Sequence, residues 1–192
     1  MLTVVKLGGS LYRSPLLKNW LQTFVQLAET RPLLIVPGGG PFADCVRDAQ
    51  RDHDLSDKTA HQMAINAMRQ FALLLLDLQP DARPLTQSAK PAHQMGLSIW
   101  LPDDDAMMTT DLPQNWQVTS DTLALWLAQQ HDAGQLWLIK CCEIADPALS
   151  TLAANGIVDP HFIRQYQQQP LPCSIVRHTD YANCLTRQIA VQ

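Results

Sequence analysis

No stretch of this sequence is apolar for more than six residues, Phe71 to Leu76 being one such run. A helix crossing a bilayer needs about 20, so no membrane partner is expected. Basic residues are sparse as well, 14 Lys plus Arg against 18 Asp plus Glu, and they never gather into a run. A nucleic-acid partner is not expected, because binding the phosphate backbone requires clustered cations. The five cysteines (Cys45, Cys141, Cys142, Cys173 and Cys184) are odd in number and form no C-x-x-C pair. With no leader-like segment at the start, they predict free thiols in a reducing cytoplasm. No H-x-x-x-H pair or carboxylate cluster suggests a metal held by the protein.

What remains is a chain of 192 residues, 46% hydrophobic and only 17% charged. That length suits one domain, and a domain of this size buries roughly 70% of its unfolded surface without metal or disulfide staples. The apolar balance suits central elements that are heavily covered.

Strand and helix signals alternate along the chain. Leu2 to Leu7 reads as a strand ending at Gly8-Gly9. Ser14-Pro15 opens a helix to about Glu29, with Ser14 as cap. Leu33 to Val36 is apolar at every position, which predicts a strand covered on both faces in a parallel or mixed sheet. The turn Pro37-Gly38-Gly39-Gly40-Pro41 then leads into a helix. Ser56 to Gln79 carries a helical stripe through Ala60, Ala64, Ala67, Phe71, Leu74 and Leu78, capped by Ser56 and ended by Pro80.

Asp81 to Gln94 reads as a polar loop with room for a short strand, and Leu97 to Leu101 as the next strand. Pro102 to Gln117, with its acidic run Asp103 to Asp105, is an irregular segment of a length often tied to function. Thr119-Ser120-Asp121 starts a helix to about Gln130, stopped by Gly134. Leu136 to Ile139 is a strand that ends at Lys140. Short helices follow at 147–154 and 161–167, then a strand at 174–176 and a last helix from Tyr181. The alternation predicts one α/β domain, a three-layer αβα sandwich on a mainly parallel sheet.

Two glycine turns carry the first chemical signal. Lys6 precedes Gly8, Gly9 and Ser10, where backbone N–H groups can approach a phosphate with no Cβ in the way. A lysine beside such a cradle neutralises charge on a transferring phosphoryl group. Its place before the glycines is the reverse of a Walker A loop. A plain tight turn explains Gly8-Gly9 equally well.

The second turn, Gly38, Gly39 and Gly40, also satisfies the dinucleotide pattern G-x-G-x-x-A through Ala43. That fingerprint belongs after the first strand, with an acidic residue about 20 positions on at a strand end. Asp57 has the spacing but lies at a helix start, so two facing phosphate cradles fit better. Ser120 and Asp121 open a helix, where an acidic residue also suits the dipole without further role. The functional reading has Asp121 orienting Lys6 and Lys140. Asp57 and His61, one turn apart, can face a shared site, or can simply form a polar helix end. His53 and His131 read as surface residues.

Taken together, Val4-Val-Lys6-Leu-Gly8-Gly9-Ser10, Val36-Pro-Gly38-Gly39-Gly40 and Val118-Thr-Ser120-Asp121-Thr-Leu-Ala124 resemble the amino acid kinase superfamily. That group includes the acetylglutamate, uridylate and isopentenyl phosphate kinases. The resemblance implies an ATP- and Mg²⁺-dependent kinase, with Mg²⁺ held mainly by the nucleotide. Lys6, Asp121 and Lys140 would be catalytic, and Gly8, Gly9, Ser10 and Ser120 would bind nucleotide phosphates. Gly38, Gly39, Gly40, Asp57 and His61 would bind the acceptor.

Residues from about 1 to 118 would form the acceptor part and 119–192 a shortened nucleotide part. Cys141-Cys142-Glu143-Ile144 stands where many relatives carry an Asp- and Gly-containing nucleotide loop. Ala60-His61-Gln-Met63-Ala64-Ile-Asn-Ala67-Met68, Trp116-Gln-Val-Thr-Ser-Asp121, Leu138-Ile-Lys140 and Gly156-Ile-Val-Asp159 are similar to the aminomethylfuran phosphate kinase branch of one-carbon cofactor biosynthesis. That likeness implies a phosphate monoester acceptor converted to a diphosphate, with an ammonium that one of Asp103 to Asp105 could pair. The superfamily also implies a homodimer or higher homo-oligomer. A binding protein without turnover on the same fold is the other reading the shortened half allows.

Overall fold

The structure is a computed structural model that describes residues 1–86, 95–103, 107 and 110–192. In chain order its strands are β1 (Thr3–Leu7), β2 (Pro32–Pro37), β3 (Arg83–Leu85), β4 (Gly96–Trp100), β5 (Gln135–Lys140), β6 (Cys173–Arg177) and β7 (Gln188–Ala190). Its helices are α1 (Leu16–Ala28), α2 (Gly40–His53), α3 (Asp57–Leu78), α4 (Ser120–Gln130), α5 (Leu149–Ala154) and α6 (Pro160–Gln168). One 7-stranded sheet runs in the order β3-β4-β2-β1-β5-β6-β7, parallel except for β7.

Side chains alternate across a strand, and the central strands put both halves of that alternation into core. Val4, Leu34, Val36, Leu136 and Leu138 pack toward α4 and α6, with Leu123, Leu127 and Phe162. Val5, Leu7, Leu33, Ile35, Trp137 and Ile139 pack toward α1, with Leu17, Trp20 and Phe24. The expected sandwich covered on both faces is therefore present. The same parity places Lys6, two residues after Val4, and Lys140, two after Leu138, on the α4 side.

From β1 the chain first builds outward through β2, then returns to add β5 on the other flank of β1. The carboxyl end of β1 and β5 is thus the point where the winding reverses, the usual ligand crevice of an open α/β sheet.

Several boundaries and faces differ from the sequence expectation. Helix α1 begins at Leu16 behind Pro15, and the Ser14 hydroxyl accepts the Leu16 N–H at 3.2 Å. On α3, Ala60, Ala67 and Phe71 are buried as expected, and Ser56 caps through Thr59 N–H. The stripe, however, is completed by His61, Ile65, Met68, Ala72 and Leu75, while Leu78 is exposed. Helix α3 serves two cores, Ile65 and Met68 on one side of the sheet and Phe71 and Leu75 on the other, so no single straight stripe describes it.

The turn after α4 is made by Asp132 in the left-handed conformation (φ 46°), two residues before Gly134. The helix expected from Tyr181 is only a 3-10 turn, Tyr181–Asn183, followed by β7 antiparallel to β6. Asp104, Asp105 and residues 87–94 lie outside the described residues. No described helix is long and apolar enough to cross a membrane.

Candidate active site

The two glycine turns leave neighbouring strands in register, Leu7 beside Pro37, and Gly38 N–H donates to the Leu7 carbonyl at 2.9 Å. They then touch backbone to backbone. A Cβ on Gly9 would sit 2.3 Å from Gly40 N and 2.5 Å from Gly40 Cα, and one on Gly38 only 2.7 Å from Gly9 N. Gly40 also has φ +54°, a left-handed conformation that glycine adopts without strain. The glycines are thus required by the contact of the turns as well as by any phosphate. A side chain at Gly8 would crowd the Ile139 carbonyl at 3.2 Å and come to 3.7 Å from Lys6 Nζ.

Lys6 and Lys140 converge on Asp121, in the first turn of α4. Lys6 Nζ lies 3.1 Å from Asp121 Oδ1, and Lys140 Nζ donates to Oδ2 at 2.7 Å. All three side chains are nearly buried, 8%, 11% and 7% exposed respectively. Two cations thus share one carboxylate, beside the N-terminus of α4 with its partial positive charge. Burial pushes the Lys6 ammonium below the ordinary lysine value, and Lys140 adds to that shift while Asp121 opposes it. Burial alone would raise the Asp121 carboxyl, but Lys140 and Lys6 hold it below the ordinary carboxylate range.

A cleft of about 730 Å³ opens in front of this cluster. Lys6, Gly9, Ser10, Gly38, Gly39, Gly40, His61 and Ser120 line it, so most of the expected site residues meet on one surface. The N-terminus of α2 points there too, from Gly40. Ser10 Oγ lies 3.1 Å from Cys141 Sγ, which brings the cysteine pair after β5 against the first turn. Burial pushes the His61 imidazole below its ordinary value, against a bond to the Asn115 backbone.

Asp57 does not reach the cleft. It is exposed at the start of α3 and accepts from Gln50 Nε2 at 2.9 Å. It still acts on the cleft wall, because Gln50 Oε1 accepts from Trp116 Nε1 at 2.5 Å. The Arg47 guanidinium lies over that indole, 4.4 Å from the ring centre, a cation–π contact. Arg47, Trp116, Arg13 and Tyr12 all line the cleft. Sequence reading gave none of the four a site role, Trp116 entering only within a block of resemblance, since single arginines and aromatics at scattered positions carry no spacing signal. His53 is exposed as expected, but His131 is buried at 7% exposure, in the turn that closes α4.

The capping of α4 is a second departure. Thr119 makes no cap bond through its own side chain. Its place is taken by Asp159, the N-cap of α6, whose Oδ2 accepts from Thr119 N at 2.9 Å, Thr119 Oγ1 at 2.8 Å and Thr122 N at 3.0 Å. Asp159 Oδ1 accepts from Phe162 N at 3.1 Å and from the Thr122 hydroxyl. Burial and the charge of Asp121 push the Asp159 carboxyl up, against these bonds.

Fold and site together define a crevice at the carboxyl edge of a doubly wound sheet, bordered by paired lysines, glycine turns and helix N-termini. The amino acid kinase family model matches residues 1–141. The chain belongs to that family. That membership leaves no place for the dinucleotide reading of Gly38 to Ala43.

A curated relative, [5-(aminomethyl)furan-3-yl]methyl phosphate kinase of Methanocaldococcus jannaschii, is 27% identical over 137 residues, 69% of this chain. The matched region spans 62% of that relative's length. Among solved structures, the UMP kinase of Ureaplasma parvum superposes with TM-score 0.77 at 13% identity, covering 100% of this chain and 99% of the other. The uridylate kinase of Archaeoglobus fulgidus gives TM-score 0.73 at 16% identity, covering 99% and 98%. An aspartate kinase from Synechocystis gives 0.71 at 15% identity, over 93% of this chain and 38% of that one. These likenesses establish the fold.

Proposed function

We propose that the chain is an ATP-dependent kinase that phosphorylates a small-molecule phosphate monoester, giving a diphosphate. The observation that carries this reading is the Lys6–Asp121–Lys140 cluster, with two ammonium groups held on one buried carboxylate at 3.1 and 2.7 Å. A transferring phosphoryl group spreads negative charge over its oxygens, and preorganised cations stabilise it without rearrangement. Asp121 fixes where the two ammonium groups stand. The N–H groups of Gly9 and Ser10 and the start of α4 at Ser120 supply further donors.

The residues present fit a nucleoside triphosphate, since a Cβ at Gly8, 3.7 Å from Lys6 Nζ, would crowd the approach that Lys6 and the first turn offer. ATP supplies the phosphoryl group, and Mg²⁺ travels with its oxygens and water. Among the described residues no three His, Cys, Asp or Glu are grouped to hold a metal ion.

The acceptor occupies the cleft under the second glycine turn, between α2, α3 and Trp116. Arg13 and Arg47 suit an anionic group there, and Trp116 offers a flat apolar face. The name of the curated relative supports an aminomethylfuran methyl phosphate, or a close analogue, as that acceptor. A soluble cytoplasmic homo-oligomer completes the reading, with exposed Leu73 on α3 available to an interface.

The test is phosphorus NMR of the products formed from ATP, Mg²⁺ and a panel of phosphate monoesters, carboxylates and carbamates. A new diphosphate doublet with ADP supports the reading. Acyl phosphate formation redirects it to another acceptor class, and nucleotide binding without ADP release across the panel overturns it in favour of a binding protein.

A further inference from the structure

Asp159 is a buried carboxylate that the reaction as described leaves without a part. It is 7% exposed and caps its own helix through Phe162 N–H, which would be reason enough for an aspartate there. Yet four of its five hydrogen bonds come from the N-cap and first turn of α4, 37 to 40 residues earlier in the chain. The donors are the N–H and hydroxyl groups of Thr119 and Thr122, the residues that bracket Ser120 and Asp121. A further bond, His161 N–H to the Gln117 carbonyl at 3.1 Å, ties the same two segments just outside the carboxylate. The first turn of α4 is therefore clamped from below by α6, while Asp121 projects from it toward the lysines.

We propose that Asp159 is a positioning residue for phosphoryl transfer, fixing the first turn of α4 so that the Asp121 carboxylate stands between Lys6 and Lys140. The inference rests on the kinase reading above. An asparagine in its place has one acceptor oxygen where the carboxylate has two, and its NH₂ would face donors. The first turn of α4 would then lose its fixed height, and a misplacement of about 1 Å at a reacting centre can cost about a hundredfold in rate. The negative charge matters as well. The charged groups acting on Lys6 are Asp121 on α4, Lys140 on β5 and Asp159 at the start of α6, and Asp159 favours its ammonium form.

The experiment compares wild type, Asp159→Asn and the milder Thr122→Val, which removes one hydroxyl donor and keeps the charge. Each is assayed for kcat and both KM values, and the Lys6 ammonium is titrated by side-chain nitrogen NMR. The expected result for folded Asp159→Asn is a kcat lower by about a hundredfold, little change in either KM, and Lys6 deprotonating at lower pH. Thr122→Val should lose less kcat with Lys6 titrating as in wild type.

Wild-type kcat and Lys6 titration in a folded Asp159→Asn variant, even one of lower melting temperature, would overturn the proposal. If Asp159→Asn does not fold, unchanged kcat in Thr122→Val overturns it. If wild type itself transfers no phosphate, the kinase reading falls, and the Lys6 titration alone then decides whether Asp159 tunes the cluster.

Discussion

Lys140 Nζ stands 2.7 Å from Asp121 Oδ2 at the point where the winding of the sheet reverses, each group almost closed off from solvent. A buried pair of this kind is weak evidence of stability, because desolvation offsets much of the attraction. Removing one partner is a different matter. Asp121→Ala leaves two neighbouring ammonium groups without a counter-charge, which should destabilise the fold by about 3–5 kcal/mol. Urea unfolding of the variant against wild type reads that loss, and Asp121→Asn should fall between the two.

The same carboxylate sets an acid limb. Its folded-state pKa lies below the ordinary value while the unfolded chain keeps that value. Asp121 therefore contributes stability that is full above about pH 4 and is lost as pH falls through the lower folded pKa. Asp159, pushed up, has the opposite sign: its ionisation opposes folding above its raised pKa, and that cost fades as it protonates. Unfolding free energy measured from pH 7 down to pH 2 should fall less steeply in Asp121→Asn than in wild type.

The contact of the glycine turns predicts a steric penalty that phosphate binding alone would not. Gly9→Ala must push against Gly40 backbone that would lie 2.3 Å from its Cβ. Overpacking of this kind costs about 1–3 kcal/mol. The melting temperature of Gly9→Ala should therefore fall in the absence of any ligand, whereas a glycine kept only for ligand approach would leave it unchanged.

Trp116 predicts a split between binding and turnover. Trp116→Ala removes a wall of the cleft and the platform under Arg47, so it should raise KM for the acceptor at least tenfold, about 1.4 kcal/mol, and spare KM for ATP. Trp116→Phe keeps a ring but loses the bond to Gln50, and should show a smaller rise. Asp57→Asn, which acts only through Gln50, should shift the acceptor KM least.

How much of this was legible in the sequence follows from where the signals are local. Lys6 stands next to the end of one apolar strand and Lys140 ends another, which is local, but that they share a face depends on the register that sets Lys6 beside Leu138. Asp121 follows from its place in a helix start. The glycine turns were visible as turns, but their mutual contact depends on strand register, which no local pattern reports. The stripe on α3 failed because that helix serves two cores. The helix expected from Tyr181 failed because Ile189 pairs with Ile175 on β6, a long-range choice. Asp159 entered the sequence reading only within the block Gly156-Ile-Val-Asp159 and had no role there, since its partners Thr119 and Thr122 are brought to it only by the packing of α6 on α4. Asp57 had the right neighbourhood and the wrong direction: it holds Gln50, and the cleft feels it only through Trp116.

The central claim is that phosphoryl transfer depends on the Lys6 ammonium at the end of β1. Steady-state turnover of ATP with the best monoester acceptor, compared between wild type and Lys6→Met, tests it most directly, with circular dichroism as the control for folding. The account predicts a folded variant whose kcat is lower by about two to three orders of magnitude. A folded Lys6→Met enzyme turning over at the wild-type rate would contradict it.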